Sequence, residues 1–221
     1  MFFEKRYGRQ NAGSRDSRNA LYRERVARPY ELKARAEAQA RTRQRIVDAA
    51  IHLHQTVGPA RTTVTAIAEH AGVGRLTVYR HFPAEADLYT ACSRTYWERN
   101  PLPDPGPWKG IADPAQRLRA ALTDSYDYHR RTEAMTSRVL AEASDSPRMV
   151  PYHQHWRDAA EIVASGWELT GRARARTRAA VGLALSFSTW QYLTGDQGLD
   201  DREAADLMTD LVTRSANGHF T

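Results

Sequence analysis

Apolar residues along this chain return at helical rather than alternating spacing, and the pattern is sharpest early. Ile46, Ala49, Ala50, Leu53 and Val57 form an i, i+3, i+4, i+7 stripe that Gly58-Pro59 stops. Ile67, Ala68 and Ala71 then recur at the same spacing. Gly72 suits a positive-φ turn, and Val73, Val78 and Phe82 resume an apolar face. A longer helix followed by two short ones joined through glycine predicts a helix-turn-helix unit over residues 31–83. Thr63 stands where a side-chain oxygen would cap the first short helix, and Ala68 is small where the pair would cross.

The remaining pattern is also helical. From about Ala84 to Arg99, Leu88, Ala91, Cys92 and Tyr96 share one side. Residues 100–114 hold five of the ten prolines, which no helix interior tolerates, so this is a loop. Trp108 within it either anchors the loop on the core or lies as a lid over a pocket. Leu118, Leu122, Ser125, Tyr126 and His129 form the next stripe, and Met135, Val139 and Leu140 another before Pro147 and Pro151. Trp156, Ala159, Ala160, Val163 and Trp167 form a third. Ala179 to Leu193 is apolar on nearly every face, which predicts one helix buried between the core and a partner subunit. Asp200 and Glu203 have capping-box spacing ahead of the stripe Ala204, Leu207, Met208, Leu211 and Val212. Alternating strand patterns and repeats are missing, so the expected fold is all-α, with residues 84–221 forming a second helical domain.

Charge alters this picture at one end only. The formal net charge is +6, but residues 1–45 hold 13 Lys or Arg against 5 Asp or Glu, and the rest of the chain 19 against 21. A positive field confined to the amino-terminal end fits a nucleic-acid partner there. Residues 1–30 lack apolar periodicity and read as a disordered basic arm. Such an arm either follows phosphates and the minor groove or is dispensable. No apolar run approaches the roughly 18 residues of a membrane span, and no signal-peptide core follows the first residues, so a cytoplasmic protein is expected. Cys92 is the sole cysteine, which rules out an intrachain disulfide and a multi-cysteine metal site.

The second short helix offers a surface of donors and methyl groups without a carboxylate, which suits a duplex major groove. Gly74 opens it. Arg75 is the leading candidate for base readout, because a guanidinium fork matches guanine O6 and N7. Leu76 and Thr77 suit a thymine methyl, and Thr65 reaches a base edge from the preceding helix. Thr63, Tyr79 and His81 suit phosphate oxygens, although a core aromatic is the rival reading of Tyr79. Arg80 fits base or phosphate; it and Leu76 are also ordinary exposed helix residues. Arg41 and Arg45, with Arg43, would lie near the duplex from the long first helix.

An enzyme is not expected. His153 and His155 are two apart, as are His52 and His54, whereas helical metal pairs need spacings of three or four. No Gly-x-Ser-x-Gly, phosphate loop or dinucleotide fingerprint occurs, and neither cofactor nor metal is expected. The rival within DNA binding is an architectural protein that compacts DNA without a ligand.

The run from Ala71-Gly72-Val73 through Thr77-Val78-Tyr79-Arg80-His81-Phe82-Pro83, ending in Leu88, resembles the signature of TetR-family transcriptional regulators. It covers about a quarter of the chain. The resemblance implies an all-helical homodimer with an amino-terminal DNA-binding domain. It also implies a carboxy-terminal domain that binds a small apolar or aromatic effector and dimerises through its last two helices. The family usually places a polar cap and then a lysine after the Phe-Pro; this chain has Ala84 and Glu85. For the implied pocket, the aromatic and Met residues of the second half supply candidates: Trp108, Tyr126, His129, Met135, Trp156, Trp167 and Trp190, within a wider set that includes Tyr128 and Tyr152. Core packing is the alternative for each.

Overall fold

The computed structural model describes residues 13–218, with side chains from residue 32 onward. Helix α1 spans Gly13–Thr56, α2 Val64–Ala71, α3 Arg75–His81 and α4 Glu85–Arg99. Among the described residues no strand occurs, as the all-α expectation required, and no helix is long and apolar enough to cross a membrane.

The arm expected over residues 1–30 needs correction where it is described. The helix already runs from Gly13, while residues 1–12 lie outside the described residues. Residues 14–28 contain neither Gly nor Pro, and five of them are Arg. Good helix formers let a helix nucleated at the packed end propagate without a face of their own to bury. The helix continues through Pro29, whose missing N–H removes one ladder bond.

α1, α2, α3 and α4 enclose one core built from Ile46, Val47, Ala50, Ile67, Val78 and Phe82. Each such aliphatic side chain contributes about 1.5–3 kcal/mol on burial, so the two short helices are held by packing rather than by propensity. Gly58 turns the chain out of α1 at φ 92°, and Gly72 joins α2 to α3 at φ 64° with its N–H donating to the Ala68 and Glu69 carbonyls. Leu88, Ala91, Cys92 and Tyr96 bury the inner side of α4 on this core.

The second core lies among α6 (Pro114–Ala143), α7 (Val150–Ala164), α8 (Gly171–Ala184), α9 (Phe187–Gln191) and α10 (Asp201–Ala216). The two stripes read before Pro147 lie on a single 30-residue helix, α6. Because α6 is so long, it reaches both cores: Leu118, Leu122 and Tyr126 are in the second, whereas Met135 is packed in the first.

Between them the proline-rich stretch contains one short turn of helix, α5 (Gly106–Lys109). Its Trp108 is buried, and the indole N–H donates to Asp124 Oδ2 at 2.7 Å, so the residue pins the loop. At the far end, Asp200 and Glu203 form the expected reciprocal cap of α10.

One helix expected over Ala179 to Leu193 is two. α8 ends at Ala184, and the Ser186 hydroxyl caps α9 by accepting the Thr189 N–H at 3.2 Å. The carbonyls that the break frees are taken by α6: Tyr126 Oη donates to Ala184 O at 3.0 Å, and His129 Nε2 meets Leu185 O at 3.0 Å. A serine that can cap and two partners across the core outweigh the continuous apolar pattern.

Candidate nucleic-acid interface

α3 follows from its local sequence. Gly74 adopts an extended N-cap conformation without a side-chain cap, Val78 alone is buried on the helix, and Phe82 closes it against the core. With Val78 fixed inward, the 100° helical step turns Leu76, Tyr79 and Arg80 outward, and Arg75 in the first turn is exposed as well. Leu76 is 85% exposed and Tyr79 50% exposed, a costly display of apolar surface unless something covers it. The face carries no carboxylate.

α1 adds a second wall. Arg45, Thr42, Gln39 and Ala38 line a groove opposite Gly74, Thr77, Arg80 and His81. The structure thus brings Arg45 together with the α3 candidates. Arg41 lies one turn further out, exposed and 4.0 Å from Glu37. Arg43 has a structural use instead: its guanidinium stacks over the Phe82 ring at 4.5 Å, a cation–π contact that fastens the end of α3 to α1. Desolvation, helped by the Arg80 and Arg43 charges, pushes the His81 pKa down, so its imidazole is mostly neutral near pH 7.

Thr63 caps α2 as expected, its hydroxyl accepting the Ala66 N–H at 3.2 Å, and Thr65 is exposed on the first turn. At Ala84 the missing polar cap has a partial replacement. Asp87 Oδ2 accepts the Ala84 N–H at 3.3 Å, but alanine offers no oxygen for the reverse bond. Glu85, where the family has lysine, is exposed.

Most of the candidate pocket residues are core. Trp108, Tyr126, His129 and Trp190 are at most 1% exposed. Their polar atoms are largely engaged: Trp108 with Asp124, Tyr126 with Ala184 O, and Trp190 Nε1 with Asp201 Oδ1 at 2.8 Å. His129 sits among rings, with Trp156 at 5.0 Å and Phe187 at 5.5 Å between centroids. Burial lowers its pKa to about 4, so it is a neutral packing residue. Trp156 and Trp167 pack on the edge of the same core.

The cavity lies elsewhere, where α1–α4 face the middle of α6 and the start of α7, with a volume of about 620 Å³. Of the seven candidates only Met135 lines it. Ile51, Val64, Cys92 and Tyr96 come from the amino-terminal side, and Tyr128, Val139, Met149 and Tyr152 from the other. Sequence reading missed this because α4 and the middle of α6 each look like ordinary amphipathic helices; only their crossing leaves space. Tyr128 and Tyr152 stood in the wider aromatic set, but no signal separated them from core. Burial raises the Cys92 pKa to about 12, which leaves an unreactive thiol.

Residues 46–92 match the family model described as bacterial regulatory proteins, tetR family. The fold is similar to a TetR-like transcriptional regulator from Rhodococcus sp. RHA1, with a TM-score of 0.59 and 24% identity over 80% of this chain and 96% of that one. A TetR transcription regulator from Haloarcula marismortui ATCC 43049 gives 0.54 and 17% identity over 80% and 97%. No curated protein matches the chain. The resemblance read from Ala71 to Pro83 therefore holds: it falls within the residues that match the tetR-family model, and the fold is similar to that of TetR-like transcriptional regulators.

Proposed function

We propose that this chain, with its tetR-family reading domain on a TetR-like fold, is a dimeric repressor that a small apolar or aromatic effector releases from a two-fold-symmetric operator. The observation that carries the reading is the outward face of α3, basic, carboxylate-free and grooved against Arg45. Arg75 reads a guanine edge, with Leu76 and Thr77 against a thymine methyl and Thr65 at a neighbouring base. Thr63, Tyr79, Arg80, Arg45 and Arg41 hold phosphates and fix register.

Dimerisation uses α8 and α10. Leu183 is 62% exposed, Leu207 40% and Leu211 44%, an apolar face that a second copy would cover. Two reading helices must then stand about 34–36 Å apart to enter successive major grooves. α4 touches the reading core through Leu88 and Cys92 and runs beside the cavity, so a ligand that shifts α4 changes that spacing. A ligand does so only to the extent that it binds the released arrangement more tightly.

Selection of bound fragments from random DNA tests the reading. A two-fold-symmetric motif is the expected result; sequence-blind recovery with steep salt dependence would replace it with architectural binding.

A further inference from the structure

The cavity has walls from both functional halves, and that placement is its most informative property. On one side are Thr63, the cap of α2, its neighbour Val64, and Tyr79 of the reading helix. On the other are Tyr128, Met135 and Val139 of α6 and Tyr152 of α7. A molecule in this space touches the reading unit itself, with no intervening relay.

Its chemistry is equally specific. Tyr96, Tyr128 and Tyr152 are buried phenols whose pKa values are pushed up by desolvation, so they are neutral at any physiological pH. Tyr96 Oη has no hydrogen-bond partner; the Gln55 amide lies toward it without completing a bond. Met135 and Met149 add sulfur surface that packs well on rings. Desolvation also lowers the His54 pKa, which leaves its ring mostly neutral. The charged lining residues, Glu85 and Arg148, are exposed, and Arg148 lies over the Tyr89 ring at 4.2 Å. An ionic ligand seated past this exposed rim, among the tyrosines and methionines, would give up its hydration without a buried counter-charge.

We propose that this cavity is the effector site, that its ligand is an uncharged ring compound of drug-like size, and that the ligand acts by wedging the α2–α3 unit directly against α6 and α7. The volume falls in the usual range for such ligands. The regulatory half of this inference rests on the effector-released reading above; the binding half does not need DNA.

The test uses the full chain and the neutral fluorophore N-phenyl-1-naphthylamine, displaced by two probes of similar shape, uncharged 2-acetylnaphthalene and anionic 2-naphthoate. Saturable binding is expected, with the ketone displacing at concentrations at least tenfold below the carboxylate. Ser93→Trp from α4 and Val139→Trp from α6 each fill the space and should weaken the fluorophore at least tenfold, whereas Trp167→Phe, outside the cavity, should not. Thermal melts of all three confirm folding, and the wild-type displacement stands without them. Bound fluorophore should slow amide exchange in both Thr63–Ile67 and Tyr128–Met135. No saturable binding, equal displacement by the carboxylate, unchanged affinity in both folded filling variants, or protection confined to α6–α10 would each overturn the proposal. Because these readings are made without DNA, their failure is separable from failure of the fragment selection.

Discussion

Glu142 of α6 reaches the turn after α1, where its Oε2 accepts the Ala60 backbone N–H at 2.8 Å. The same carboxylate lies where a Cβ at Gly58 would sit, so a larger residue there would push the flexible end of Glu142 aside and break this bond. The positive φ is what requires glycine at this turn. With Arg138 Nε donating to Gln55 O at 2.8 Å, this pair ties α6 to the end of α1 and the turn after it.

Removing the tie should loosen the seam without unfolding either core. Glu142→Ala is expected to cost about 1 kcal/mol in urea unfolding, the usual net worth of one such bond. Amide exchange at Ala60 should rise at the same time. Unchanged exchange at Ala60 would mean that the bond does not hold the turn.

Replacing Arg75 should be read at one base rather than in overall affinity. Arg75→Ala is expected to lose roughly 1–3 kcal/mol for the preferred operator and to relax preference at a single position in each half-site. Competition binding against operators varied one base pair at a time measures this. An even loss across all sequences would make Arg75 a phosphate contact.

Acid should weaken the fold through His129. Its pKa of about 4 lies below the usual 6.5, so the unfolded chain binds more protons between those values. The stability linked to its neutral ring is intact above pH 6.5 and falls by up to about 1.4 kcal/mol per unit as pH drops toward 4. Asp201, whose carboxylate Arg130 and the Trp190 indole hold below the usual range, follows the same sign but at more acidic pH, so it does not contribute to this slope. Urea midpoints at pH 7 and pH 5 should therefore differ in the wild type and differ less in His129→Gln, which keeps a donor for Leu185 O; His54, His81 and His155, also lowered by desolvation, carry the remaining slope.

A charge on the exposed face of α10 should separate subunits. Leu207→Glu with Leu211→Glu is expected to give monomers in sedimentation velocity with unchanged helix content, and to weaken operator binding by tenfold or more. Dimers that persist in the double variant would place the interface elsewhere.

Local rules explain which parts of the molecule could be read from sequence. Thr63, Gly72, Gly58-Pro59 and the Asp200–Glu203 cap each act within a few residues, and each stands where the pattern placed it. The break at Leu185 and Ser186 could not be read in this way, because its acceptors are matched by Tyr126 and His129 from nearly 60 residues away. The cavity was hidden for the same reason. Trp108, Tyr126 and Trp190 read as buried or pocket-lining from their aromatic character, but whether a ring meets protein or empty space depends on how α4 crosses α6. The missing apolar periodicity misled in the opposite direction from Gly13 onward: a segment with nothing to bury can still extend a helix begun by its neighbour.

The join at Ala84 has a consequence for how the molecule would move. A helix that starts with a full reciprocal cap resists tilting, since any rotation breaks two bonds. α4 starts with Asp87 reaching back alone. Pivoting about that point would forfeit one exposed hydrogen bond rather than two, so the start of α4 is held less firmly than a fully capped helix.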